Sequence, residues 1–63
     1  MSELRFFKRM AGLSDKEKST KVLDVEWEGR LEPVTWNVIR IEVLGNTKLG
    51  QQMIDMLLEK DLI

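Results

Sequence analysis

The residue types that most often carry catalysis are missing, since the chain contains neither histidine nor cysteine. Histidine is the commonest general base and metal ligand near neutral pH, and cysteine supplies thiolate nucleophiles and zinc ligands. Carboxylates and lysines remain. Asp24, Glu26 and Glu28 recur at every second position, which puts them in a row on one face of a strand. A cation wants oxygen ligands converging from several directions, and a single strand face does not converge. The row therefore reads as an acidic docking or solubilising face. Lys16, Lys18 and Lys21 have the types of a phosphate-contacting cluster, with a charged loop as the plainer reading. Gly45-Asn46-Thr47-Lys48 stands before a helix, where an anion would be welcome. It lacks phosphate-loop spacing and reads as a turn and cap. The expectation is a protein without catalytic, cofactor-binding or metal-binding residues: not an enzyme.

The elements that position these side chains form a small α+β fold. Leu23, Val25 and Trp27 alternate with Asp24, Glu26 and Glu28, predicting a strand over about residues 21–28. Gly29-Arg30 suits a two-residue turn. A second strand is expected over about 34–44, because Ile39, Ile41 and Val43 alternate with Arg40 and Glu42 and the β-branched residues favour extension. Its apolar parity flips near Val38, which calls for a bulge or two-sided cover. The register from that turn pairs Leu23 with Trp36, Val25 with Val34 and Glu26 with Pro33. Trp36 is assigned to the core, while Trp27, nearer the turn, is divided between core and surface.

Helices flank this hairpin. Residues 2–10 predict a short helix with Leu4 and Phe7 facing inward and Gly12 ending it. Ser14 and Glu17 have capping-box spacing, and 14–20 reads as a solvated turn or a single helical turn. Residues 47–60 predict an amphipathic helix, capped by Asn46 or Thr47 and packed on one face of the sheet. Its apolar arc runs through Leu49, Met53, Ile54, Met56, Leu57 and Leu58. That arc is broad enough to leave surface for something else, with Met53 and Met56 as an adaptable patch or as core.

Sixty-three residues make one domain, near the size at which a core needs help from staples or association. In the expected register Ile39, Ile41 and Val43 face the polar residues 16–20 and have no strand partner. An open apolar edge is a liability, and pairing with a second copy would cover it and extend the sheet across a homodimer. The N-terminal helix lying across that edge is the alternative.

Charge is uneven. Residues 1–21 hold six basic against three acidic side chains, and residues 22–63 hold four against eight. Such polarity can steer docking. The N-terminus has no continuous apolar run, so it does not read as a signal peptide, and no segment reaches bilayer-spanning length. With no cysteine present, a cytoplasmic location is expected and no membrane partner.

Two functions follow as expectations. The first is a non-catalytic protein–protein interaction module, an adaptor, regulator or accessory subunit acting as a homodimer. Its contacts would be Trp27, Arg30, Ile39, Ile41, Val43, Ile54 and Leu58, with a second protein as a further partner. The alternative is a small nucleic-acid-binding regulator using Arg5, Lys8, Arg9, Lys16, Lys18 and Lys21 on phosphates. Net acidity and the lack of a base-reading motif count against it.

Overall fold

The structure, a computed structural model, describes residues 2–63. In chain order it comprises α1 (Ser2–Ala11), α2 (Asp15–Lys18), β1 (Lys21–Trp27), β2 (Arg30–Thr35), α3 (Trp36–Leu44) and α4 (Lys48–Glu59). The α+β class, the N-terminal helix, a hairpin and a C-terminal helix packed on the sheet agree with the sequence reading. The second half of the expected long strand does not.

α1 buries Phe6 and Met10, four residues apart. Leu4 lies 58% exposed, so the helix is rotated from the expected face and Phe6 takes the inward place given to Leu4. Phe6 stacks on Trp36 with ring centroids 6.1 Å apart, which ties α1 to α3. α2 is a single turn held by a complete capping box. The Glu17 amide donates to Ser14 Oγ at 3.1 Å, and the Ser14 amide donates to Glu17 Oε1 at 3.0 Å.

The two strands form one antiparallel sheet. Trp27 pairs with Arg30, which places the turn at Glu28-Gly29 rather than Gly29-Arg30. Both turn residues have positive φ, 51° and 80°. That is the signature of the primed turns whose twist matches paired strands. Leu23 consequently faces Val34, Val25 faces Glu32, and Pro33 sits across from Asp24 instead of Glu26.

The largest correction concerns residues 36–44, which are helical. Thr35 ends β2 in an extended conformation and caps the new helix, its Oγ1 accepting from the Val38 amide at 3.3 Å. Trp36 and Ile39 are buried and Val43 half-buried, a three-then-four spacing that belongs to a helix. Had the segment been a strand, Ile39 and Ile41 would share a face. Instead Ile39 is fully buried and Ile41 is 61% exposed. Cap and burial together outweigh the β preference of the branched side chains.

α4 is the central element. It packs against α1, α3 and β1, burying Gly50, Met53, Ile54 and Leu57. Thr47 caps it by accepting from the Gly50 amide at 2.9 Å, and its hydroxyl donates to Glu42 Oε1 at 2.8 Å, which latches α3 to α4 across the turn. The core joins Phe6, Met10 and Leu13 to Leu23, Val25, Val34, Trp36, Ile39, Met53 and Leu57. Among the described residues no helix is long and apolar enough to cross a membrane.

Candidate functional site

α3 is apolar on two sides. Its inner side supplies Trp36 and Ile39 to the core, yet its outer side carries Val38, Ile41 and Leu44, which are 41%, 61% and 63% exposed. An apolar helix face is normally covered. Here one side is left to water, at a cost of about 25 cal/mol for each Å² of apolar surface. Arg40 and Glu42 border the stripe, one charge of each sign.

This stripe runs into a cleft. Val38 also lines a depression of about 180 Å³ with Val25, Trp27, Val34, Leu49 and Met53, with Glu32 and Glu42 at its border. The hairpin places Trp27 there because it has the same parity as the buried Leu23 and Val25 but lies one step beyond their cover. Half of its surface remains exposed, leaving an aromatic anchor at the mouth of an apolar hollow, the arrangement that dominates the energetics of many interfaces.

The structure divides the expected contact residues. Trp27, Arg30 and Ile41 are on the surface, and Val43 and Leu58 are half-buried. Ile39 and Ile54 are wholly buried at 0% and 1% exposure and cannot meet a partner in this fold. Ile54 is enclosed because α1 and α3 flank α4, so the apolar arc that looked surplus is largely internal. Met53 is likewise core, and Met56 half-buried. The strand-pairing route to a dimer loses its basis, because Ile39, Ile41 and Val43 do not form a strand. Val38 and Leu44 escaped notice as surface residues. Helical spacing from Thr35 onward would have revealed both.

The basic residues are dispersed. Arg5 donates to the Ile63 main-chain oxygen at 3.1 Å, and Lys21 pairs with Asp24 at 2.8 Å. Lys18 lines a hollow of about 460 Å³ with Asp15, Phe7, Met10 and Arg40. Lys8, Arg9 and Lys16 are exposed. Glu17 closes the α2 capping box with Ser14. The Ser14 amide, and then the Ser14 hydroxyl, hold its pKa below the usual 4.5.

Asp24 and Glu26 lie on the outer face of β1 as the alternation requires, while Glu28 has left the row to form the turn. With Val25, Leu31, Gln52, Asp55 and Met56 they line a groove of about 530 Å³ between β1 and α4. Among the described residues no three carboxylates converge to hold a metal ion, and the core encloses no polar or charged side chain. No family model matches the chain, and neither a curated protein nor a solved structure matches it.

Proposed function

We propose that the protein is a non-catalytic interaction module whose outer α3 face associates with a second copy of itself. The observation that carries this reading is the exposed stripe of Val38, Ile41 and Leu44 on a nine-residue helix whose other side is already core. The stripe is bordered by Arg40 and Glu42, so it presents no net charge that would repel its own copy. A two-fold contact uses the same patch on both subunits, and a 63-residue domain gains proportionally from any apolar surface it can add to its core. Trp27, at the edge of the adjoining cleft, anchors the rim. Arg30, which faces Trp27 across the strands and pairs with Glu32 at 3.5 Å, borders the same rim, and the reading is in keeping with an adaptor or accessory subunit in the cytoplasm.

The nucleic-acid alternative finds less support. α3 and α4 are joined by a three-residue turn, but the exposed face of α4 carries Lys48, Gln51, Gln52, Asp55 and Glu59, an acidic balance that phosphates would oppose. Of the six basic residues, Arg5 and Lys21 already have partners.

The test follows methyl resonances through serial dilution. The expected result is that Val38, Ile41 and Leu44 methyls shift together with concentration while those of Ile39 and Ile54 stay fixed. Concentration-independent methyls on the stripe of a chain that is monomeric by mass would refute the reading. Mixed-sequence duplex DNA and RNA added at low salt serve the alternative, which predicts shifts at Lys8, Arg9 and Lys16 that vanish as salt is raised.

A further inference from the structure

We infer that the free edge of β1 accepts an extended, basic segment of another protein, which adds as a third strand in the groove between β1 and α4. This rests on the interaction-module reading in a general sense but uses none of the α3 stripe.

The hairpin fixes which backbone groups are available. Trp27 and Arg30 close a two-residue turn and so form a hydrogen-bonded pair. Antiparallel pairs alternate between bonded and non-bonded, which makes Val25–Glu32 and Leu23–Val34 bonded, and Glu26–Leu31 and Asp24–Pro33 non-bonded. The position of Pro33 agrees, because a residue with no N–H removes no ladder bond there. It follows that the N–H and C=O groups of Asp24 and Glu26 point away from β2, along the open side of β1. Among the described residues no backbone bond from α4 or elsewhere reaches them.

That open side looks into the groove. Asp24, Val25 and Glu26 line it from β1, and Gln52, Asp55 and Met56 from α4. Strand addition needs three things: an unpaired edge, room beside it, and pockets for alternate side chains. Here Leu31 and Met56 offer apolar contact, and Asp24, Glu26 and Asp55 offer negative charge. Among the described residues Glu26 and Asp55 have no ion-pair partner. The Asp24–Lys21 pair is about half exposed on both sides and yields readily, since exposed pairs contribute little.

Charge also selects the occupant. A second copy of β1 would set Asp24 and Glu26 against the same residues on the same face, and like charges directly opposite are destabilising. The edge of β2 is protected differently, because Pro33 presents no N–H to a newcomer. An incoming strand with lysine or arginine at alternate positions meets two carboxylates side by side at β1, whereas β2 carries Glu32 already paired with Arg30.

The test uses the full chain and a capped heptapeptide alternating arginine and valine, acetylated and amidated. Two further versions are N-methylated, one on every valine and one on every arginine. The expected result is saturable binding with slowed hydrogen exchange at the Asp24 and Glu26 amides. One N-methylated version should bind at least roughly tenfold more weakly while the other is retained, because only one set of N–H groups faces β1. The double variant Glu26→Lys, Asp55→Lys should weaken binding by a similar factor while keeping the wild-type circular dichroism spectrum. Equal binding by both N-methylated peptides, equal binding by a glutamate–valine peptide, or no binding at millimolar peptide would each overturn the inference. None of these outcomes alters the mass of the protein alone, so failure here and failure of the α3 dimer are read separately.

Discussion

A Cβ placed on Gly50 would lie 2.7 Å from the Glu42 main-chain oxygen and 2.8 Å from its carbonyl carbon. α3 and α4 therefore meet backbone to backbone, and only a residue without a side chain fits. The obstacle is main chain and cannot rotate aside. Helix propensity by itself favours alanine over glycine by about 1 kcal/mol, whereas overpacking costs about 1–3 kcal/mol. Gly50→Ala should lose up to roughly 2 kcal/mol net, read as a lower urea midpoint at unchanged slope. A gain in stability would show that the helices do not approach this closely.

The hairpin turn predicts the opposite sign. Glu28 occupies the left-handed region at φ 51°, which asparagine tolerates better than glutamate, and Asn-Gly is the preferred pair for this turn. Glu28→Asn should raise stability by about 0.5–1 kcal/mol. Gly29→Ala should lower it by about 1 kcal/mol although nothing lies within 4 Å of the new Cβ, because the penalty comes from φ 80°. Thermal midpoints of the two variants on either side of wild type would check both.

Glu17 supplies a prediction in pH. Bonds from the Ser14 amide and hydroxyl lower its folded pKa below 4.5. A carboxyl whose pKa is depressed by folding contributes stability above its unfolded value and loses it as pH falls through the folded value. The α2 capping box should therefore weaken only below about pH 4.5. In an NMR titration, Ser14→Ala should move the Glu17 midpoint upward. An unchanged midpoint would mean that the hydroxyl bond does not form in solution.

Ile39 and Ile41 separate core from surface within one helix. Ile39→Ala should cost about 2–5 kcal/mol, as emptying a filled core site does. Ile41→Ala should change the stability of the dissociated chain by no more than about 0.5 kcal/mol. Chemical denaturation at low protein concentration distinguishes them, and equal losses would restore the strand reading of this segment.

Much of the fold was legible because its signals are local. Ser14 and Glu17 spell a capping box, Leu23, Val25 and Trp27 alternate cleanly, and Leu49, Met53 and Leu57 keep helical spacing. Residues 36–44 were not legible in the same way. Val38, Ile39, Ile41 and Val43 satisfy a strand by propensity and by alternation, while Trp36, Ile39 and Val43 satisfy a helix by burial. Over nine residues the two periods overlap, and the decision rests on Thr35, whose capping role depends on where the hairpin ends. Once the turn moves to Glu28-Gly29, β2 runs out at Thr35 and the helix begins. The candidate surface inherited that ambiguity. Ile41 belongs to it on either reading, Ile39 on neither side of α3 that water reaches, and Val38 and Leu44 only on the helical one.

The central claim, association through the outer face of α3, is tested most directly by molar mass in solution. Light scattering behind gel filtration at micromolar concentration should give twice 7.4 kDa for the wild-type chain, and a single 7.4 kDa for a folded Ile41→Glu variant. A folded wild-type monomer at that concentration, or a dimer that Ile41→Glu leaves intact, would contradict it.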